Sequence, residues 1–268
     1  MRQKGLHSFF ILISLIFLLG TSQSMAVLDE ERANHIFNDF IELYRLYGGN
    51  KYMLEEPIIQ SSHVLQAAYI AQTAGAPDDI VIGLLFHDVG QIIDADRIGD
   101  TQSLHYDHDE LGALWLKEHG FPEYIWKFVR YHTLAKVELC ALNDQYYNKL
   151  SKASQESYHI QKSKYAAPQE QHHFEIFRKN PAYWDYLNAR KCDDMAKIDG
   201  FNTAEQEPRG TLPGFEAYRD QVVRVLSGKS NPATNPNWKE TIESHYQLMA
   251  TNFPKFAQKI KRAETIKR

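Results

Sequence analysis

The 268-residue chain contains only two cysteines, Cys140 and Cys192. That excludes a disulfide-built scaffold and a zinc site made of four thiolates. It has no block of lysine and arginine, and its formal charge is −4, which argues against nucleic acid as the main partner. The GxGxxG fingerprint, the P-loop and the GxSxG nucleophile elbow are all missing, so no phosphate cradle or serine nucleophile is encoded in a short motif. No stretch sustains an apolar–polar alternation and no internal repeat is visible, which leaves no signature of a sheet or a solenoid. With 43% hydrophobic and 12% aromatic residues, the chain is neither disordered nor collagen-like and can bury a substantial core. What remains is a mildly acidic globular enzyme or small-ligand binder.

The apolar run Phe9 to Leu19 is too short to span a bilayer. It follows the basic residues Arg2 and Lys4 and precedes Ser24 and Ala26, small residues at the −3 and −1 positions of a cleavage site. This is the build of a secretory signal peptide over residues 1–26, and no cysteine follows it to carry a lipid anchor. The expected location is therefore secreted or periplasmic, with no stable membrane insertion once the leader is removed. The alternative is translation from Met25, which opens a cytoplasmic N-terminus.

Helical patterning begins with Ile36, Phe37, Phe40, Ile41, Leu43 and Tyr44, and Gly48-Gly49 ends it. Further helices are expected from Gln60 to Thr73, from Pro77 through the run IVIGLLF, from Asp107 to His119 and from Pro122 to Leu139. Residues 140–180 are polar and mixed, which suggests short helices and a long loop. Patterning resumes over Pro181–Lys197, Pro213–Leu226 and Pro236–Asn252, with a short basic helix after Pro254. The chain reads as all-α, a helical bundle over residues 27–205 with a C-terminal helical extension over 206–268.

Five segments place a metal-capable side chain in or beside a helix: His63, the pair His87-Asp88, His108, His132 and Asp193. Imidazole and carboxylate together suit iron, manganese or zinc. A lone histidine on an apolar helix face is ordinarily a hydrogen-bonded core residue. The pair in Leu-Leu-Phe-His-Asp-Val-Gly is different, because burying a carboxylate beside an imidazole is costly and a bound cation offsets it. The other candidates are bland: His105 and His172-His173 are expected in polar loops facing solvent, His119 at a helix end, and Cys192 as a buried thiol.

These residues, with GLLFHDVGQ, HDELGALWLKEHGFPEYIWKFVRYHTLAK, LSKASQESY and ARKCDDMAK around them, resemble the HD-domain superfamily over about residues 47–200. The likeness is to its di-iron oxygenase branch, which includes phosphonate dioxygenases and, more distantly, inositol oxygenase. The resemblance implies an HD-domain helical bundle and a site for two iron ions in mixed valence, with Mn2+ or another divalent metal as the alternative. By the same matching, His63, His87 and Asp193 would bind one ion, His108 and His132 the other, and Asp88 would bridge them. Asp194 would be a neighbour or merely solvated. Lys136, Ser154 and Arg190 match residues that hold a phosphonate, and an ammonium and a guanidinium beside a hydroxyl suit a dianion. Glu56 matches a glutamate that gates the open iron position, whereas Tyr52 lies one residue further upstream than the pattern. Gln91 stands where the family often has a substrate-contacting histidine, and an amide can exchange hydrogen bonds but cannot carry charge.

The implied activity is oxidative cleavage of a small hydroxyphosphonate, or a similar hydroxylated anion, by O2. One alternative is an HD-type phosphohydrolase, in which metal-bound hydroxide attacks a phosphoester. A second is a non-catalytic metal- or ligand-binding module.

Overall fold

The structure is a computed structural model that describes residues 28–49, 56–98 and 107–263. The expected leader, Tyr52, His105 and the last residues of the basic tail lie outside the described residues. Within them the chain is all-α, and no strand forms.

The first helix, α1 (Glu30–Tyr47), is capped by Asp29, whose side chain accepts from the Arg32 amide at 2.8 Å. It buries Ala33, Ile36, Phe37, Phe40 and Tyr44 along one stripe, the period expected of a helix lying on a core. The next helix, α2 (Gln60–Thr73), is buried on every side from Gln60 to Ala71. A helix without a solvent face is the centre of its domain. Gly75, at φ 78°, turns the chain into α3 (Asp78–Phe86), which packs along α2.

Two further helices, α4 (Val89–Ile98) and α5 (His108–Glu118), lead to α6 (Glu123–Leu142), the longest of the described helices. The sequence pattern does not separate α4 from α3; the break falls at His87-Asp88, inside a run that is apolar throughout. Residues 140–180 form the short helices expected of them, but the long loop is absent. They form α7 (Asp144–Lys149), α8 (Lys152–Ala166) and α9 (Gln171–Arg178). Local caps build them: Asn143 accepts from the Gln145 amide and Ser151 from the Ser154 amide. Helix α8 buries only Ala153, Ser154, Ser157 and Tyr165, too thin an apolar stripe to show a period.

The chain continues through α10 (Tyr183–Met195), a 3-10 turn (Phe215–Tyr218), α11 (Arg219–Leu226), α12 (Trp238–Thr251) and α13 (Phe253–Lys261). This last part shares the core of the rest: Tyr218, Val222, Val225, Ile242, Tyr246 and Phe256 are buried in it. It is also tied by polar contacts to the start of α3. The buried Asp78 carboxylate accepts from Gln221 at 2.9 Å, from the Asn231 amide at 2.9 Å and from Arg224 at 3.2 Å. No described helix is long and apolar enough to cross a membrane.

One close approach sets the positions of His87, Asp88 and His108. Helix α4 crosses α5 at Gly90, where an added Cβ would lie 1.9 Å from the His108 carbonyl oxygen and 2.8 Å from the Gly112 amide. Only hydrogen at this position lets the two backbones meet. Both obstacles are backbone atoms, which cannot rotate aside as a side chain would. Gly90→Ala is expected to destabilise the fold by about 1–3 kcal/mol, the range for overpacking a close contact. Urea unfolding of the variant beside the wild type measures it.

Candidate metal centre

The expected ligands come from every part of the bundle. His63 lies one turn into α2, His87 and Asp88 form the corner between α3 and α4, His108 opens α5, His132 sits in the middle of α6, and Asp193 lies near the end of α10. All are buried, and His108 is the most accessible at 9%. The chain brings together all of these sequence-derived ligands.

They converge as two imidazole pairs around one carboxylate. The Nε2 atoms of His63 and His87 lie 3.1 Å apart, and those of His108 and His132 lie 3.2 Å apart. Asp88 stands between the pairs. Its Oδ2 is 3.3 Å from His87 Nε2 and 3.5 Å from His63 Nε2, while its Oδ1 is 3.5 Å from His108 Nε2 and 3.6 Å from His132 Nε2. Asp193 joins the first pair alone, with Oδ1 3.3 Å from His63 Nε2 and Oδ2 3.5 Å from His87 Nε2.

The donor set fits a pair of metal ions. His63 Nδ1 faces the Ala196 carbonyl at 2.9 Å, His87 Nδ1 the Leu84 carbonyl at 2.7 Å and His132 Nδ1 the Val129 carbonyl at 2.6 Å. A carbonyl only accepts, so in each ring Nδ1 carries a proton, and a neutral ring turns a bare Nε2 lone pair inward, where a cation or a second proton can sit. Lone pairs aimed at one another repel unless something positive lies between them. Asp88 Oδ2 and Asp193 Oδ1 are buried with no hydrogen-bond partner, a costly state that coordination relieves. Metal–ligand bonds of about 2.1 Å place neighbouring donor atoms about 3–3.5 Å apart, the spacing these atoms show.

Electrostatics point the same way. Burial opposes charge on His87, but the Asp88 and Asp193 carboxylates overcome it and hold the imidazole at about 9. A proton on His87 thus stands in for the cation. Burial works against the Asp88 carboxylate, and the His87 charge, with the polar edges of the neighbouring imidazoles, brings it well below the usual range. Asp193 is also held low, against its burial, chiefly by the Arg190 guanidinium and then by His87. Burial lowers His132.

Of the expected substrate-binding residues, Lys136 and Arg190 lie beside Asp193, and Ser154 is joined to them through Lys197. Lys136, one turn beyond His132, is buried and donates to Ser157 Oγ at 2.7 Å. Burial and the Arg190 charge bring its ammonium down to about 7. Arg190 is buried between two acids, pairing with Asp193 and, at 2.6 Å, with Asp194. Asp194 is therefore not a solvated surface group; it is buried and accepts from the Tyr146 hydroxyl as well. Ser154 Oγ accepts from Lys197 Nζ at 2.6 Å, and the same ammonium reaches Ser151 Oγ at 2.8 Å and Glu56 Oε1 at 3.1 Å. Gln91 Oε1 accepts from Gln60 Nε2 at 2.9 Å, which orients the Gln91 amide.

Sequence reasoning did not select Lys197, Ser157 or Gln60. Lys197 follows Asp193 by one helical turn, but a lysine after a helix end is common, and nothing in the sequence marks it as buried. His172 faces solvent as expected, but both His172 and His173 lie on α9 and not in a loop, and His173 is half-buried beside Glu170 at 3.4 Å. His119 stacks on Trp115, with ring centroids 3.9 Å apart, and Cys192 is fully buried.

A metal ion must displace the proton that His87 holds below about pH 9. Apparent metal affinity is therefore expected to rise about tenfold per pH unit from pH 7 to 9 and to level off above that. Competition of the apo-protein against a chelator of known protonation measures this slope.

Comparison with known proteins agrees with the geometry. The HD domain family matches residues 61–179. The chain is 35% identical over 160 residues to the [1-hydroxy-2-(trimethylamino)ethyl]phosphonate dioxygenase (glycine-betaine-forming) of Leisingera caerulea, covering 59% of this chain and 78% of that protein. It is 29% identical over 198 residues to the hydroxymethylphosphonate dioxygenase of Gimesia maris, covering 73% and 89% of the two chains. An uncharacterized protein of Acanthamoeba polyphaga mimivirus is 26% identical over 198 residues, covering 72% and 83%. With the His-Asp corner, the two imidazole pairs and these relatives on the page, the chain belongs to the HD-domain superfamily, in the oxygenase branch that holds the phosphonate dioxygenases.

Proposed function

We propose that the protein is a dioxygenase that cleaves the carbon–phosphorus bond of a small hydroxyphosphonate, with two iron ions as its cofactor and O2 as co-substrate. The observation that carries this reading is Asp88, which turns one carboxylate oxygen toward each imidazole pair. Such a bridge suits a dinuclear centre. His63, His87 and Asp193 would hold one ion and His108 and His132 the other. Two iron ions supply the electron exchange with O2 that imidazole and carboxylate side chains cannot perform.

The chain's own residues select and orient the substrate. Lys136, Arg190 and Ser154 offer an ammonium, a guanidinium and a hydroxyl to a phosphonate dianion. Lys136 sits at about 7 without substrate, so an arriving dianion stabilises the proton on Nζ and forms a charge-assisted pair. The Lys197 ammonium donates to Ser154 Oγ, which leaves the Ser154 hydroxyl hydrogen available to the anion. Burial of the ligand atoms keeps bulk water from the reacting carbon and strengthens each of these contacts.

The names of the two dioxygenase relatives support the reaction class, and the pairing of Asp88 with four imidazoles supports the metal count. A phosphohydrolase on the same ligands would release phosphate without O2. Hydroxymethylphosphonate is therefore expected to yield phosphate with matched O2 uptake in the iron-loaded protein and none under strict anaerobiosis. Phosphate release at an undiminished rate without O2 would establish hydrolysis instead. Lys136→Ala is expected to keep both metals and raise KM roughly 30-fold, the loss of a charged hydrogen bond of about 2 kcal/mol. Steady-state kinetics with metal analysis of the same sample checks it.

A further inference from the structure

The densest buried charge outside the metal cluster surrounds Asp109, the residue after His108. Its carboxylate is 1% exposed. Oδ2 accepts from Thr133 Oγ at 2.7 Å, from the Tyr165 hydroxyl at 2.7 Å and from Arg130 at 3.3 Å. Oδ1 accepts from Lys164 Nζ at 3.1 Å and from the Glu110 amide at 3.0 Å. Asp107, Asp109 and Glu110 together have the spacing of a cation site. A lysine already fills it: Lys164 Nζ lies 3.0 Å from Asp107, 3.1 Å from Asp109 and 3.4 Å from Glu110. Lys164 and Arg130 occupy the cluster from within the chain, where an ion would otherwise sit.

Its position in the fold gives it another use. Thr133 follows His132 directly, as Asp109 follows His108. The Asp109–Thr133 bond therefore joins the two residues that stand next to one imidazole pair, across the α5–α6 contact. This half of the cluster needs such a brace. His108 is the first residue of α5, and Asp107 before it makes no side-chain cap bond. An uncapped first turn frays, and fraying would move the His108 ring. His63, by contrast, lies inside the fully buried α2.

We propose that Asp109 is the positioning residue of the second metal site: through Thr133 it fixes the separation of His108 from His132. This inference rests on the dinuclear reading above, and the experiment separates the two. The full-length apo-protein is titrated anaerobically with Fe2+ by equilibrium dialysis and metal analysis, well below each variant's unfolding temperature. The wild type is expected to bind two ions. Asp109→Asn and Thr133→Val should keep one tight site and bind the second about tenfold more weakly or worse, the scale on which outer contacts tune a metal site. Thr133→Ser, which keeps the hydroxyl, should restore it.

Tyr165→Phe is the control. It removes a bond of the same length to the same carboxylate oxygen, together with a 2.7 Å contact to the Thr133 hydroxyl, but leaves the Asp109–Thr133 bond in place and comes from α8, which carries no metal ligand. It should lower thermal stability as Thr133→Val does and leave both metal sites intact. Two wild-type affinities in Thr133→Val, or an equal loss in Tyr165→Phe, would overturn the positioning role. Fewer than two ions on the wild type would overturn the dinuclear reading and this inference with it.

Discussion

The structure turns on an electrostatic debt at its centre. Four imidazoles and two carboxylates are held largely out of reach of water, with lone pairs facing lone pairs and carboxylate oxygens left without donors. A hydrophobic core gains nothing from such an arrangement, and a folded chain keeps it only if something positive completes it. In the metal-free chain the completing charge is a proton on His87, drawn there by Asp88 and Asp193. In the loaded protein it is metal. The site is thus preorganised at the expense of stability, the usual relation between a reactive centre and its scaffold.

The scaffold meets that demand by distributing the ligands over four helices and the corner between α3 and α4, and by fixing three of the rings from behind. Backbone carbonyls of Ala196, Leu84 and Val129 hold three of the imidazoles by Nδ1, which sets both the tautomer and the direction of the lone pair. Gly90 allows α4 and α5 to touch, so the His-Asp corner and His108 share one small volume. Around the cage stands a layer of buried ions, Arg190 between Asp193 and Asp194 and Lys197 beside Glu56. Each of these charges is compensated before any substrate arrives. An anion entering this region exchanges existing contacts for new ones.

Much of this was legible in the sequence because the ligands sit in helices whose apolar runs are unmistakable. A carboxylate in Leu-Leu-Phe-His-Asp-Val-Gly has no bland explanation, and family resemblance extended the pair to the full ligand set. What the sequence hid is what depends on tertiary contact. The corner between α3 and α4 is invisible because both flanks are apolar. Helix α8 buries too few residues to show a period, although Tyr165 and Ser154 both come from it. Lys197, Asp194 and Asp109 look like ordinary surface charges until the fold surrounds each with partners. Charge pattern along a chain says little about which ions end up inside.

The order of the ligands along the polypeptide has a consequence for how the protein is made. His63, His87, Asp88, His108 and His132 all leave the ribosome well before Asp193, and α11 to α13, which close over α1, α3 and α10, leave it last. During synthesis the imidazoles exist for a time without the acid that completes their first site or the helices that cover it. At that stage no cage fixes their spacing, and imidazole ligands rank divalent ions by intrinsic affinity alone. Selection by geometry requires the complete ligand set, which exists only once Asp193 is made and the bundle has closed.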